Sequence, residues 1–163
     1  MEFLTGVLQK ETMEISDLVR PGLEGSEVKV NGAIHTIRDM GPIAFVILRK
    51  REGLLQCVYE PGAADFSLKD LKEADTIEVS GTLALSEKAP SGIEVRMKSV
   101  RILSEPVEAM PIPVSKWKMN VSLETNLDLR PISLRNIRER AKFRIQEGIV
   151  RGFRDFLTAQ GFT

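Results

Sequence analysis

The chain has 163 residues, 42% of them hydrophobic and 28% charged, with 23 basic residues balanced by 23 acidic ones. That is globular material with room for one good core and a smaller second unit, which argues against a disordered chain or one that holds nucleic acid by bulk positive charge. One cysteine, Cys57, and one histidine, His35, exclude an internal disulfide, a cysteine-based zinc site and a His-rich metal centre.

The first dozen residues give no clear signal, and Met1-Glu2-Phe3 lacks the basic region of a secretory leader. No apolar run is long enough to cross a bilayer, so the expectation is a cytoplasmic protein without a membrane partner. The first predicted strand, Val28 to Ile37, alternates Val28, Val30, Gly32 and Ile34 inward against Lys29, Asn31, Ala33 and His35 outward. Met40-Gly41-Pro42 is a turn, Ile43 to Arg49 a second strand, and Arg51-Glu52-Gly53 closes a hairpin onto a third, Leu54 to Glu60.

Pro61-Gly62 ends that strand, and Ser67 with Asp70 reads as a capping box opening a short helix through Ala74. Strands four and five follow, Thr76 to Ser86 and Gly92 to Leu103, joined by Glu87 to Ser91. Three strands, one short helix and two strands is the order of an all-β OB-fold, a five-stranded Greek-key barrel that commonly binds oligonucleotides. Cys57 fits there as a small core hydrophobe.

The proline-rich stretch Glu105 to Pro113 suits a semi-rigid linker. Leu134 to Gln160 then spaces Ile137, Ala141, Ile145, Ile149, Phe153, Phe156 and Leu157 by threes and fours, predicting an amphipathic helix that Asn136 and Gly148 could interrupt. The domain reading is therefore 1–105 barrel, 106–133 hinge, and 134–163 the opening helix of a truncated further domain. Charge follows that division: residues 130–163 hold eight basic and three acidic side chains (+5), leaving 15 − 20 = −5 for the first 129. A nucleic-acid site on the barrel must be local.

Strand parity names that site. With Ala44, Val46 and Leu48 inward, Phe45, Ile47 and Arg49 face out; with Leu55, Cys57 and Tyr59 inward, Gln56 faces out; with Ile93, Val95 and Met97 inward, Glu94, Arg96 and Lys98 face out. Phe45, Gln56 and Glu94 then share one face, with Arg38 at the end of the first strand. A ring to stack on, an amide and a carboxylate for base edges and an arginine for phosphate or base are the parts that read splayed single-stranded bases. The plainer alternatives are an outward Phe covered by a loop, a Glu94 pairing with Arg38 or Arg96, and a solvated hairpin tip at Arg49-Lys50-Arg51.

The stretch R-D-M-G-P-I-A-F-V-I-L-R-K-R-E-G-L-L-Q, Arg38 to Gln56, resembles the N-terminal anticodon-binding domain of class II (subclass b) aspartyl-tRNA synthetases of the archaeal-like type. In that family an Arg, a Phe and a Gln stand seven and eleven residues apart, matching Arg38, Phe45 and Gln56, with a Glu on the last strand matching Glu94. Leu127-Asp128-Leu129-Arg130-Pro131 resembles the family's L-D-L-R sequence after the hinge, and Arg140 to Thr163 its long motif 1 helix. The resemblance implies that the barrel grips a tRNA anticodon loop, with Phe45 stacking on the central uridine and Gln56 and Glu94 reading base edges.

It further implies that 110–126 is a hinge near the tRNA, where Lys116, Trp117 and Lys118 would touch the backbone; Lys50, Arg51 and Lys88 are candidate backbone contacts by their charge. The alternative for Trp117 is to plug a small hydrophobic gap. The full-length enzyme would use ATP and Mg²⁺ to join aspartate to its tRNA and would dimerise through the motif 1 helix. This chain, stopping before motifs 2 and 3, is expected to have no catalytic or metal-binding residues and no cofactor of its own. Asparaginyl and dual-specificity enzymes share the domain type, and a general single-strand-binding OB module or one mediating protein association stays open. Two positions depart from the family: Ala33 stands where a Trp is usual, and Lys50 where an Asp is usual.

Overall fold

A computed structural model describes residues 11–163. The chain divides into two compact units between Ala109 and Met110. In the first, strands β1 (Glu27–Asp39), β2 (Ala44–Arg49), β3 (Leu54–Tyr59), β4 (Thr76–Leu85) and β5 (Ile93–Ser104) form a closed barrel in the order β1-β2-β3-β5-β4. All neighbours are antiparallel except β3 and β5, which run parallel. The OB-fold expectation is met.

The barrel closes around alternate side chains of every strand. Val28, Val30, Ile34, Val46, Leu48, Leu55, Cys57, Ile77, Val79, Leu83, Ile93, Val95 and Met97 are buried together, joined by Leu71 and by Leu18 from the short helix α1 (Ile15–Leu18). At roughly 1.5–3 kcal/mol for each large side chain withdrawn from water, this cluster is the main source of the unit's stability. Burial pushes the Cys57 thiol up to about 12, which keeps it protonated and inert.

Three local expectations change. The helix expected after Ser67 shrinks to a 3-10 turn, Leu68–Asp70. Ser67 does accept from the Lys69 amide, but the Lys72 amide, which a continuing helix would direct to the Leu68 carbonyl, donates instead to the Asp75 carboxylate at 2.7 Å. Leu71 is thereby extended and delivered to the core.

His35, expected to face solvent, is buried, with 4% of its surface exposed. The β1–β2 register shifts between Ile34 and Thr36, and such a bulge inserts a residue that breaks the in–out alternation.

The third change concerns the outer face of β2 and β3. Ile47 and Val58 lie on that face by parity yet are buried, so the open part of the face is smaller than alternation alone suggests.

The second unit holds α2 (Leu123–Asp128), α3 (Arg130–Ser133) and α4 (Ile137–Ala159). The stretch read as hinge thus contains two short helices. Ser122 caps α2 by accepting from the Thr125 amide at 3.1 Å, and Pro131 sits in the first turn of α3, where its missing N–H costs nothing.

The long helix starts three residues later than expected because Asn136 is its cap. Its Oδ1 accepts from the Arg138 and Glu139 amides at 3.0 and 3.1 Å, while Nδ2 donates to the Val114 and Lys116 carbonyls. Gly148 does not interrupt α4. Phe143, Ile145, Ile149, Val150, Phe153 and Phe156 are exposed along this helix. Among the described residues no helix is long and apolar enough to cross a membrane.

Candidate nucleic-acid interface

Register turns parity into geometry on the outer face of β1, β2, β3 and β5. Arg38 stands opposite Phe45, Phe45 opposite Val58, and Val58 opposite Arg96, forming one row across four strands. The adjacent row is Thr36, Ile47, Gln56 and Glu94. The four residues read from the sequence as a site, Arg38, Phe45, Gln56 and Glu94, therefore occupy two neighbouring rows of one surface.

Phe45 is half-buried and stacks on no other ring among the described residues. Buried Ile47 and Val58, from the neighbouring row and strand, give it apolar surroundings. Gln56 Nε2 donates to Glu94 Oε2 at 3.0 Å across the parallel β3–β5 junction. A carboxylate only accepts, so this bond fixes which end of the amide faces Glu94. Gln56, read from the sequence as outward-facing, is buried, with 9% of its surface exposed, and this bond leaves one N–H and its carbonyl, with the second oxygen of Glu94, outside the pair. Arg38 is exposed and makes no hydrogen bond or ion pair among the described residues.

His35 lies within electrostatic reach of this end of the face. Burial holds its pKa below the usual histidine value, helped by the positive charges of Arg49 and Arg38 and opposed by Glu73. Its Nδ1 has no hydrogen-bond partner.

The basic hairpin tip is only partly what the sequence suggested. Lys50, expected among the backbone contacts, is turned inward with 2% of its side chain exposed. Its ammonium donates to the Asn31 carbonyl at 2.7 Å and pairs with the Glu14 carboxylate at 3.5 Å. An ammonium so enclosed cannot reach a phosphate, and Lys50 leaves the candidate set. On the same hairpin Glu52 accepts from the backbone and hydroxyl of Ser16 at 2.8 and 2.9 Å, so the turn is a docking point for α1.

Arg51 remains on the surface, 3.8 Å from the Glu52 carboxylate. Lys88 is exposed in the β4–β5 loop. In the second unit Lys116 is exposed, and the Arg138 guanidinium lies 5.8 Å from the ring centre of Trp117. Trp117 is 69% exposed, which removes the plug reading. Sequence parity had put Arg96 outside without assigning it; its place in the Phe45 row needed the cross-strand register.

Comparison with known proteins agrees with the geometry. A model of the OB-fold nucleic acid binding domain matches residues 28–103. The chain is 38% identical over 143 residues to an "Aspartate--tRNA(Asp/Asn) ligase" of Deinococcus radiodurans, covering 88% of this chain and 32% of the relative. It is 36% identical over 139 residues to the ligase of the same name from Thermus thermophilus, covering 85% and 32%.

Among solved structures it resembles asparaginyl-tRNA synthetase from Pyrococcus horikoshii complexed with asparaginyl-adenylate. The identity is 25%, the TM-score 0.73, and the match covers 88% of this chain and 33% of that one. The chain spans about a third of the length of the relatives it matches.

Proposed function

We propose that the barrel, whose residues 28–103 match the OB-fold nucleic acid binding domain model, recognises a tRNA anticodon as part of an aspartate–tRNA ligase. The observation that carries the reading is the pairing of Gln56 with Glu94 at 3.0 Å beside the half-buried ring of Phe45. Stacking on Phe45 holds one unstacked base, contributing roughly 1–3 kcal/mol without regard to its identity. Gln56, its amide oriented by Glu94, tells that base from others by hydrogen bonds to its edge, and Glu94 accepts from amino or ring N–H donors.

Arg38 approaches phosphate or base beside Phe45, and Arg51, Lys88 and Lys116 supply further backbone contacts. In the full-length ligase the joining of aspartate to tRNA would use ATP and Mg²⁺; none of the residues discussed is assigned to hold them. The exposed apolar residues along α4 fit the homodimer contact expected of that enzyme. A ligase acting on tRNA(Asp) and tRNA(Asn) alike is a second reading, favoured by the names of the relatives.

The test is titration of the chain with anticodon stem-loops of the aspartate and asparagine type, and with the same loops carrying a purine in place of the central uridine. Tight binding of the first kind and weakened binding after the purine exchange supports anticodon reading. Equal affinity for all of them and for unrelated single strands means a general single-strand module, and equal affinity for the two unaltered loops alone means dual specificity.

A further inference from the structure

We infer that Arg96 is a second phosphate-binding residue of this face, forming with Arg38 a two-point clamp on either side of the base held at Phe45. The inference rests on the anticodon-binding reading above and adds a residue to it. Arg38, Phe45, Val58 and Arg96 are successive partners across β1, β2, β3 and β5. At a spacing of about 4.8 Å between strands, Arg38 lies about 5 Å and Arg96 about 10 Å from Phe45, on opposite sides of it. A single strand laid across the barrel would meet one guanidinium, then the ring, then the other.

The charges around Arg96 are already committed. Lys98 pairs with Glu27, Arg101 with Glu78 at 3.1 Å, and the Glu94 carboxylate accepts from Gln56. Arg96 itself is exposed and makes no hydrogen bond or ion pair among the described residues, as is true of Arg38. These are the uncommitted cations of the Phe45 row, and a guanidinium fork matches phosphate oxygens in pairs.

The backbone beneath Arg96 is held closely. A Cβ at Gly81 would lie 2.1 Å from the Arg96 carbonyl oxygen, so only glycine lets β4 approach β5 there. The register shift between Ser80 and Gly81 brings Arg96 opposite Thr82, in line with the Phe45 row.

The experiment measures binding of the full chain to the aspartate-type stem-loop, and to its central-purine version, over a range of salt concentrations. Phosphate contacts carry no sequence information. Arg96→Ala is therefore expected to weaken both loops about fivefold and to make the slope of log affinity against log salt shallower by about 0.7, the single-strand value for one phosphate. Arg96→Lys should retain the slope. Thermal midpoints should match the wild type, since the side chain is exposed.

Unchanged affinity and slope in Arg96→Ala, while Phe45→Ala weakens binding, would overturn the clamp and leave anticodon reading intact. A loss confined to one loop sequence with an unchanged slope would overturn it too, by making Arg96 a base reader. Failure of the wild-type chain to bind any stem-loop would overturn the proposed function and the clamp with it.

Discussion

The amide of Gln56 and the carboxylate of Glu94 meet at 3.0 Å across the one parallel junction of the barrel. The two side chains act as a unit, because Glu94 decides which edge of Gln56 is presented. Removing either should therefore lose most of what removing both loses. In stem-loop binding, Gln56→Ala and Glu94→Ala are each expected to cost about 1 kcal/mol, and the double variant to fall short of their sum by at least about 0.5 kcal/mol. Additive losses would mean that the two contact the RNA independently.

Lys50 is a structural cation. Its ammonium satisfies the Asn31 carbonyl and the Glu14 carboxylate, and Lys50→Ala leaves a largely enclosed carboxylate without that partner, at a cost of about 3 kcal/mol. Urea denaturation should register the loss. At temperatures where the variant is folded, the salt dependence of RNA binding should match the wild type, since no phosphate contact disappears. A shallower salt slope with unchanged stability would restore Lys50 to the interface.

His35 is the chain's one histidine, which makes its pH signature separable. Its folded pKa lies below the ordinary value of 6.5, so the unfolded chain takes up the proton first as pH falls. Stability is then greatest above about 6.5 and declines below it as protonation favours the unfolded state. Denaturation midpoints at pH 7.5 and 5.5 should show that decline in the wild type and much less of it in His35→Gln. An equal decline in both, or a rise toward acid, would contradict the assignment.

The barrel was legible because strand alternation and turn residues are local signals. Val28 and Val30, Val46 and Leu48, and Ile93, Val95 and Met97 all fall on the side that parity gave them. Phe45, Gln56 and Glu94 shared a face for the same reason, though the bond between the last two depends on the β3–β5 register.

What parity could not give is non-local. The bulge at His35 exists only where β1 meets β2, and Lys50 turns inward because Glu14 and Asn31 await it there. The short helix after Ser67 was lost to a competition that the sequence shows only in part. Asp75 was visible, but not that its carboxylate takes the Lys72 amide.

The central claim assigns different work to neighbouring side chains: Phe45 holds a base and Gln56 identifies it. Affinities for the aspartate-type stem-loop and its central-purine version, each measured with wild type, Phe45→Ala and Gln56→Ala, test that division most directly. Phe45→Ala should weaken the uridine loop by at least about 1 kcal/mol, the lower end of base stacking on an aromatic side chain. It should leave the ratio between loops nearly as it was, whereas Gln56→Ala should erase most of that ratio. A Gln56→Ala variant that discriminates as well as the wild type, or a Phe45→Ala variant that binds as tightly, would contradict the account.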